Sequence, residues 1–227
     1  MAEDITKMWG KFNLMEVEDV GVDIDLGTAA PMVTRGSSCI VGKFLVDRNV
    51  SKEVIKTPLI RAWHPSRWVT LFKELRANLF LIDFENSWDK DRVLEGRLWM
   101  FDGDLVSLLD FDGVTPPSQM VFGRAAFWVH MYDLPLACIS LEVGRKIGGT
   151  MGEVEEVDVN DEGVGWGEYL RVRVLLDLSK PLSRGRMLRL GGNKTWAYFQ
   201  YEKIPKFCFK CSTIRHGKNS CTMGGEK

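Results

Sequence analysis

Cys208, Cys211, His216 and Cys221 follow the spacing C-x2-C-x4-H-x4-C within FCFKCSTIRHGKNSC, and no other feature of the chain restricts its folding as tightly. Three thiolates and one imidazole form the ligand set of a closed, tetrahedral structural Zn2+ site. Two residues between the first cysteines suit a tight turn that aims both sulfurs at one ion. The four-residue gaps leave a loop too small for a core of its own, so metal binding must supply its folding free energy. Unrelated thiols or a disulfide are the alternatives. Cys39 and Cys138 lie alone in apolar runs and read as small buried hydrophobes. No signal peptide is recognisable, so a reducing intracellular compartment, nucleus and/or cytoplasm, is expected, with zinc in place of disulfides.

The net charge of −1 hides an asymmetry. Residues 180–227 carry eleven Lys or Arg against two acids, whereas residues 1–179 carry a net −10. Three thiolates around one Zn2+ contribute about −1, so the positive field at the C-terminal end comes from side chains. A basic quarter behind an acidic body points to a polyanion that docks at that end; a solvated basic tail is the alternative. Lys203, Lys206, Lys210, Arg215 and Lys218 are the candidate phosphate partners. No apolar run approaches the ~20 residues of a membrane span, and no membrane partner is expected.

The Cys/His spacing resembles the CCHC zinc knuckle of retroviral nucleocapsids and retroelement proteins, and IPKFCFKC (204–211) is similar to the approach to the knuckle in plant LINE-type retrotransposon proteins. VLEGRLWMFDGDLVSLLDF (93–111), FWVHMYDLPL (127–136), EVGRKIGGTMGEVEEVDV (142–159) and YLRVRVLLDLSKPLSRGR (169–186) resemble a plant domain of unknown function that precedes the same knuckle in retrotransposon-derived proteins. This resemblance implies a non-enzymatic nucleic-acid binder. It implies that Phe209, after the first cysteine, stacks on an unpaired base, with Ile214 as a second wall. Such stacking serves single strands because every base has a π-face. RNA is expected ahead of DNA. The family's glycines after the second cysteine and before the histidine are here Ser212 and Arg215. A side chain where φ > 0 is needed costs about 1 kcal/mol or more, so weaker zinc binding is expected.

Upstream, the pattern predicts an α+β chain in four parts. Residues 1–38 hold an amphipathic helix over 2–14, a strand through Val20, Val22, Ile24 and Leu26, and a linker. Residues 39–115 read as β (39–47), α (51–62, kinked or split at Pro58), β (68–76), β (78–85), α (87–95) and a strand or hairpin turning at Asp102-Gly103. That order, βαββαβ, is ferredoxin-like and shared with RNA recognition motifs. The third strand, RANLFLIDF, lacks the glycine and exposed aromatics of an RNA-binding sheet, so Phe80, Ile82 and Phe84 are expected to be packed. Residues 116–203 form a second small α+β unit. It has strands at 127–132, 153–159 and 170–176, a helix capped by Ser140, and a hairpin around Gly191-Gly192-Asn193. Residues 204–227 are the knuckle. Trp196 and Tyr198, with Arg184, Arg186 and Arg189, either extend a binding surface toward Phe209 or, in the case of the aromatics, close a small core.

No catalytic constellation is visible. GRKIGGTMG is not a phosphate-binding loop, and DVNDEG fails as a calcium loop because Tyr169 falls where the bidentate glutamate belongs. His130 reads as a satisfied core histidine. The expected function is therefore zinc-dependent binding of single-stranded nucleic acid without catalysis. The alternative is a protein-interaction or self-association module in which the knuckle only staples the fold.

Overall fold

The computed structural model describes residues 22–25, 27, 35–46, 48–96, 98–165, 167–214 and 221. The first sheet is built by β1 (Cys39–Phe44), α1 (Lys52–Trp63), β2 (Val69–Arg76), β3 (Leu79–Phe84), α2 (Ser87–Glu95), β4 (Trp99–Phe101) and β5 (Asp104–Asp110). Its strands run antiparallel in the order β2-β3-β1-β5-β4. The second sheet comprises β6 (Arg124–Tyr132), a 3-10 turn (Leu136–Cys138), α3 (Leu141–Gly148), β7 (Glu153–Asp158), β8 (Tyr169–Asp177), β9 (Gly185–Leu190) and β10 (Asn193–Tyr201). It is also antiparallel, in the order β7-β8-β6-β10-β9. The chain is thus α+β, with two antiparallel sheets, few helices and a C-terminal cysteine cluster.

The two sheets share one topology. β6 takes the place of β1, α3 of α1, β7 and β8 of β2 and β3, and the β9–β10 hairpin that of β4–β5. Among the described residues, only α2 has no counterpart. The loop 178–184 replaces it and carries Leu178 and Leu182 to the second core, where Ile214 joins them.

Burial explains why the strands look different in sequence. Every residue of β3 is buried, because its two faces serve two layers. Phe80, Ile82 and Phe84 pack with Ile55, Leu59 and Trp63 of α1. Leu79 and Leu81 lie on the other face with Cys39 and Val41, under Phe111, Met120 and Phe122. A strand covered on both sides reads as a continuous apolar run. In the second sheet, β6 and β8 alternate. Phe127, Val129, Met131, Leu170, Val172 and Val174 form the inner face, which α3 covers.

Several local details refine the sequence reading. Pro58 neither splits nor ends α1, because Ile55, Leu59 and Trp63 anchor the helix on both sides of it and outweigh its missing backbone bond. Residues 22–25 carry no strand and are exposed, so the alternation of Val22 and Ile24 has no pairing partner among the described residues. The helix expected over residues 2–14 lies outside the described residues. Val154 and Val157 are three apart yet both belong to the second core, since β7 shifts register between Val154 and Glu156. Asp102 and Gly103 (φ 53° and 77°) make the expected β4–β5 turn.

Candidate metal centre and nucleic-acid interface

The knuckle begins where β10 leaves its sheet. Lys203 turns the chain at φ 47°. The Lys206 backbone N–H then donates to the Gly103 carbonyl at 2.7 Å, which pins the strap to the first sheet. Its ammonium lies 3.6 Å from both Asp102 and Asp104. Lys206, expected to meet phosphate, is therefore already paired with two carboxylates.

Beyond the strap the backbone folds on itself. Ser212 N–H donates to Cys208 O at 2.7 Å and Cys208 N–H to Thr213 O at 2.9 Å. These bonds form the tight turn that the two-residue spacing requires. They are reached only with Ser212 at φ 59°, the left-handed conformation that glycine adopts freely. The sulfurs of Cys208, Cys211 and Cys221 all lie within 4.8 Å of one another. In a tetrahedron with Zn–S bonds of ~2.3 Å, sulfurs sit about 3.8 Å apart, so the cluster fits one small tetrahedral ion. Cys208 is fully buried. The Cys211 sulfur lies 3.1 Å from the Thr213 hydroxyl, whose hydrogen bond brings that thiol down to about 6 and favours the ligating thiolate. Thr213 was not singled out by the spacing; its position two residues after a ligand cysteine is the only signal it leaves. Cys39, in contrast, is pushed up to about 11 by burial and stays an inert thiol. His216, Arg215 and Lys218 lie outside the described residues.

Phe209 is 83% exposed and stands beside Phe207, with ring centroids 4.7 Å apart. It is presented to solvent, as a stacking residue must be. Ile214 is not. It is 3% exposed and belongs to the core beneath the second sheet. This corrects the expectation of a second wall for a base: Ile214 fastens the knuckle to the sheet, helped by Leu182 N–H donating to Ser212 O at 2.8 Å. Lys203 and Lys210 are exposed.

On β10, Ala197 and Phe199 face the core, whereas Trp196 and Tyr198 face the other way, 36% and 52% exposed. The aromatics therefore do not close a core. Arg189 is exposed on the aromatic side, opposite Lys194. Arg186 opposes buried Ala197 and donates to the Thr150 carbonyl and hydroxyl, both at 3.0 Å. Arg184 is exposed at the start of that hairpin.

The outer face of the second sheet adds Tyr132, Tyr169 and Trp128, which the sequence reading passed over, to Tyr198 and His130. Tyr198, Tyr132 and Tyr169 are successive cross-strand neighbours on β10, β6 and β8. His130 is on this face and not in the core as expected. Its ring stacks on Tyr169 at 4.0 Å, and its Nε2 lies 2.6 Å from Glu202 Oε1. Arg171 donates through Nε to the same oxygen at 2.7 Å, and this bond holds the Glu202 carboxyl at about 2. Arg171 also lies 3.6 Å from the centre of the Trp128 ring. The missed signal was the alternation itself: Trp128, His130 and Tyr132 interleave with core residues.

A family profile described as "Domain of unknown function (DUF4283)" matches residues 34–116, and one described as "Zinc knuckle" matches residues 176–223. The two matches lie in that order along the chain. "Uncharacterized protein At4g02000" of Arabidopsis thaliana is 28% identical over 95 residues, 41% of this chain and 30% of that protein. The match spans less than a third of that relative's length. Among solved structures, that of the C. elegans NONO-1 homodimer aligns with a TM-score of 0.27 and 13% identity, over 61% of this chain and 50% of that one. No helix among the described residues is long and apolar enough to cross a membrane.

Proposed function

We propose that this chain is a non-enzymatic, Zn2+-dependent binder of single-stranded nucleic acid, RNA ahead of DNA, derived from a plant retrotransposon and acting inside the cell. The observation that carries the reading is the convergence of three cysteine sulfurs within 4.8 Å, with the exposed Phe209 ring next to the buried ligand Cys208. In this reading His216 completes the ligand set. The ion supplies the folding free energy of the loop and a rigid seat for Phe209, and it takes part in no reaction. Phe209 stacks one base, while Lys203 and Lys210 meet phosphates. The order β2-β3-β1-β5 with both helices on one face supports the ferredoxin-like reading of the first sheet. Its other face is apolar and covered, so it offers no base platform.

Zinc content and homopolymer binding test this together. One Zn2+ per chain is expected, lost in Cys208→Ser. Affinity for poly(U) should fall with salt, with a log–log slope of about −0.7 per phosphate contact. Phe209→Ala should weaken binding about tenfold while leaving that slope unchanged. Salt-independent affinity, or none with zinc bound, overturns the proposal. A second reading, a protein-interaction or assembly module with a purely structural knuckle, draws support from the burial of Ile214. It requires Phe209→Ala to leave poly(U) binding unaltered.

A further inference from the structure

We propose that the outer face of the second sheet is a stacking platform for unpaired bases, a second nucleic-acid site separate from the knuckle. The inference rests on reading the chain as a nucleic-acid binder. Its core is the row Tyr198, Tyr132 and Tyr169 across three adjacent strands, with Trp196 beside it on β10. The Tyr132 and Tyr169 rings are 5.0 Å apart and those of Trp196 and Tyr198 are 6.4 Å apart. Trp196, Tyr198 and Tyr169 are all more than a third exposed.

The rings are held in place before any ligand arrives. The Trp196 indole lies over Gly185, where a Cβ would come within 2.7 Å of the ring. Tyr169 is backed by His130, which Glu202 fixes, and Arg171 fixes Glu202 in turn. A ring that is already ordered loses little rotamer entropy on stacking.

The comparison within the chain is informative. The two sheets share a strand order, and the corresponding face of the first carries Cys39, Val41, Leu79 and Leu81 beneath Phe111, Met120 and Phe122. On the second sheet that face carries aromatic and charged groups in place of an apolar layer. Charge fits a phosphate backbone. Lys194 and Arg189 oppose each other at the hairpin end of this face, and neither has an ion-pair partner among the described residues. Most acids on this face are paired, Glu202 and Asp158 with Arg171 and Glu155 with Arg173, and exposed Glu156 lies directly across from Arg173 at the β7 edge, away from the hairpin. Protein interfaces also use Tyr and Trp, but around an apolar centre depleted of charge. Here the rings sit between the Lys194 and Arg189 cations and a partly exposed ion network around Arg171. Aromatics tracked by cations are how single strands are held without sequence preference.

The test uses the full chain and fluorescein-labelled oligo(U) of about 12 nucleotides, a length within single-strand site sizes. Trp196→Ala/Tyr198→Ala is expected to lower affinity about tenfold or more, with zinc content and circular dichroism unchanged, and Trp196→Ala/Tyr198→Phe to recover part of the loss. Phe209→Ala is measured alongside. Undiminished affinity in the double alanine variant overturns the platform, whatever Phe209→Ala does. A loss in the double variant with none in Phe209→Ala upholds the platform and removes the knuckle's stacking role. No binding by the unsubstituted protein overturns both. A double variant that changes only the mass measured by light scattering overturns the platform alone and makes the face a contact between proteins.

Discussion

Ser212 shows how one residue can set the quality of a metal site. Its φ of 59° is imposed by the bonds from Ser212 N–H to Cys208 O and from Cys208 N–H to Thr213 O, which bring the sulfurs together. A Cβ in that conformation costs about 1 kcal/mol or more. Ser212→Gly is therefore expected to tighten zinc binding about fivefold to tenfold, measured by competition with a chromophoric chelator. The sequence showed the ligand spacing directly, because it is local, and the likeness to zinc knuckles marked Ser212 as a place that wants glycine: a turn and its φ depend on a handful of consecutive residues. It could not show that Ile214 points into a core, since that depends on where a distant sheet passes.

Between elements, Asp89 does the most connecting. Buried to 1% at the start of α2, it accepts from Ser66 N–H (2.9 Å), Ser66 Oγ (2.8 Å), Arg67 N–H (3.0 Å) and Asn86 Nδ2 (3.1 Å). It thereby ties the loop after α1 to the N-terminus of α2. Burial alone would raise its carboxyl, but these donors outweigh it and hold the group at about 2. The folded value is depressed, so the stabilisation is complete above the ordinary value of 3.8 and is lost as pH falls through about 2. Asp89→Asn is expected to cost about 2 kcal/mol at neutral pH and progressively less below about pH 4, read from urea unfolding at several pH values. Helices and hairpins were legible at this scale because caps and turns are written in place: Ser140 caps α3 and Asp102-Gly103 turns β4 into β5, while the cap of α2 is Asn86, one residue before Ser87 where the sequence places the helix start. The aromatic face of β6 was not read, although its alternation is plain, because the sequence alone does not say which face a second layer covers.

For the whole molecule, the repeated strand order was invisible in the sequence. The two sheets bury different residue types, and the second replaces a helix with a loop and a knuckle residue. That substitution couples the metal to the sheet. Ile214→Ala is expected to destabilise the second half by about 2–4 kcal/mol, seen as a lower denaturant midpoint with the ion present, and removal of the ion by chelation should lower the same midpoint. The charge asymmetry was legible as a total but not in its distribution. The structure commits Lys206 to Asp102 and Asp104 and Arg186 to Thr150, and it leaves Lys194 and Arg189 facing solvent.

Two copies of one strand order in a single chain invite misassembly, since β3 could in principle settle beside β6, and β8 beside β1. The differing outer layers forbid the exchange. β8 in the first sheet would carry Arg171 and Arg173 beneath Phe111 and Phe122, stranding guanidinium groups in an apolar layer. β3 in the second would set Leu79 and Leu81 out in water. The contrast between the two surfaces thus makes each strand a poor guest in the other sheet, so the wrong pairing is penalised in energy.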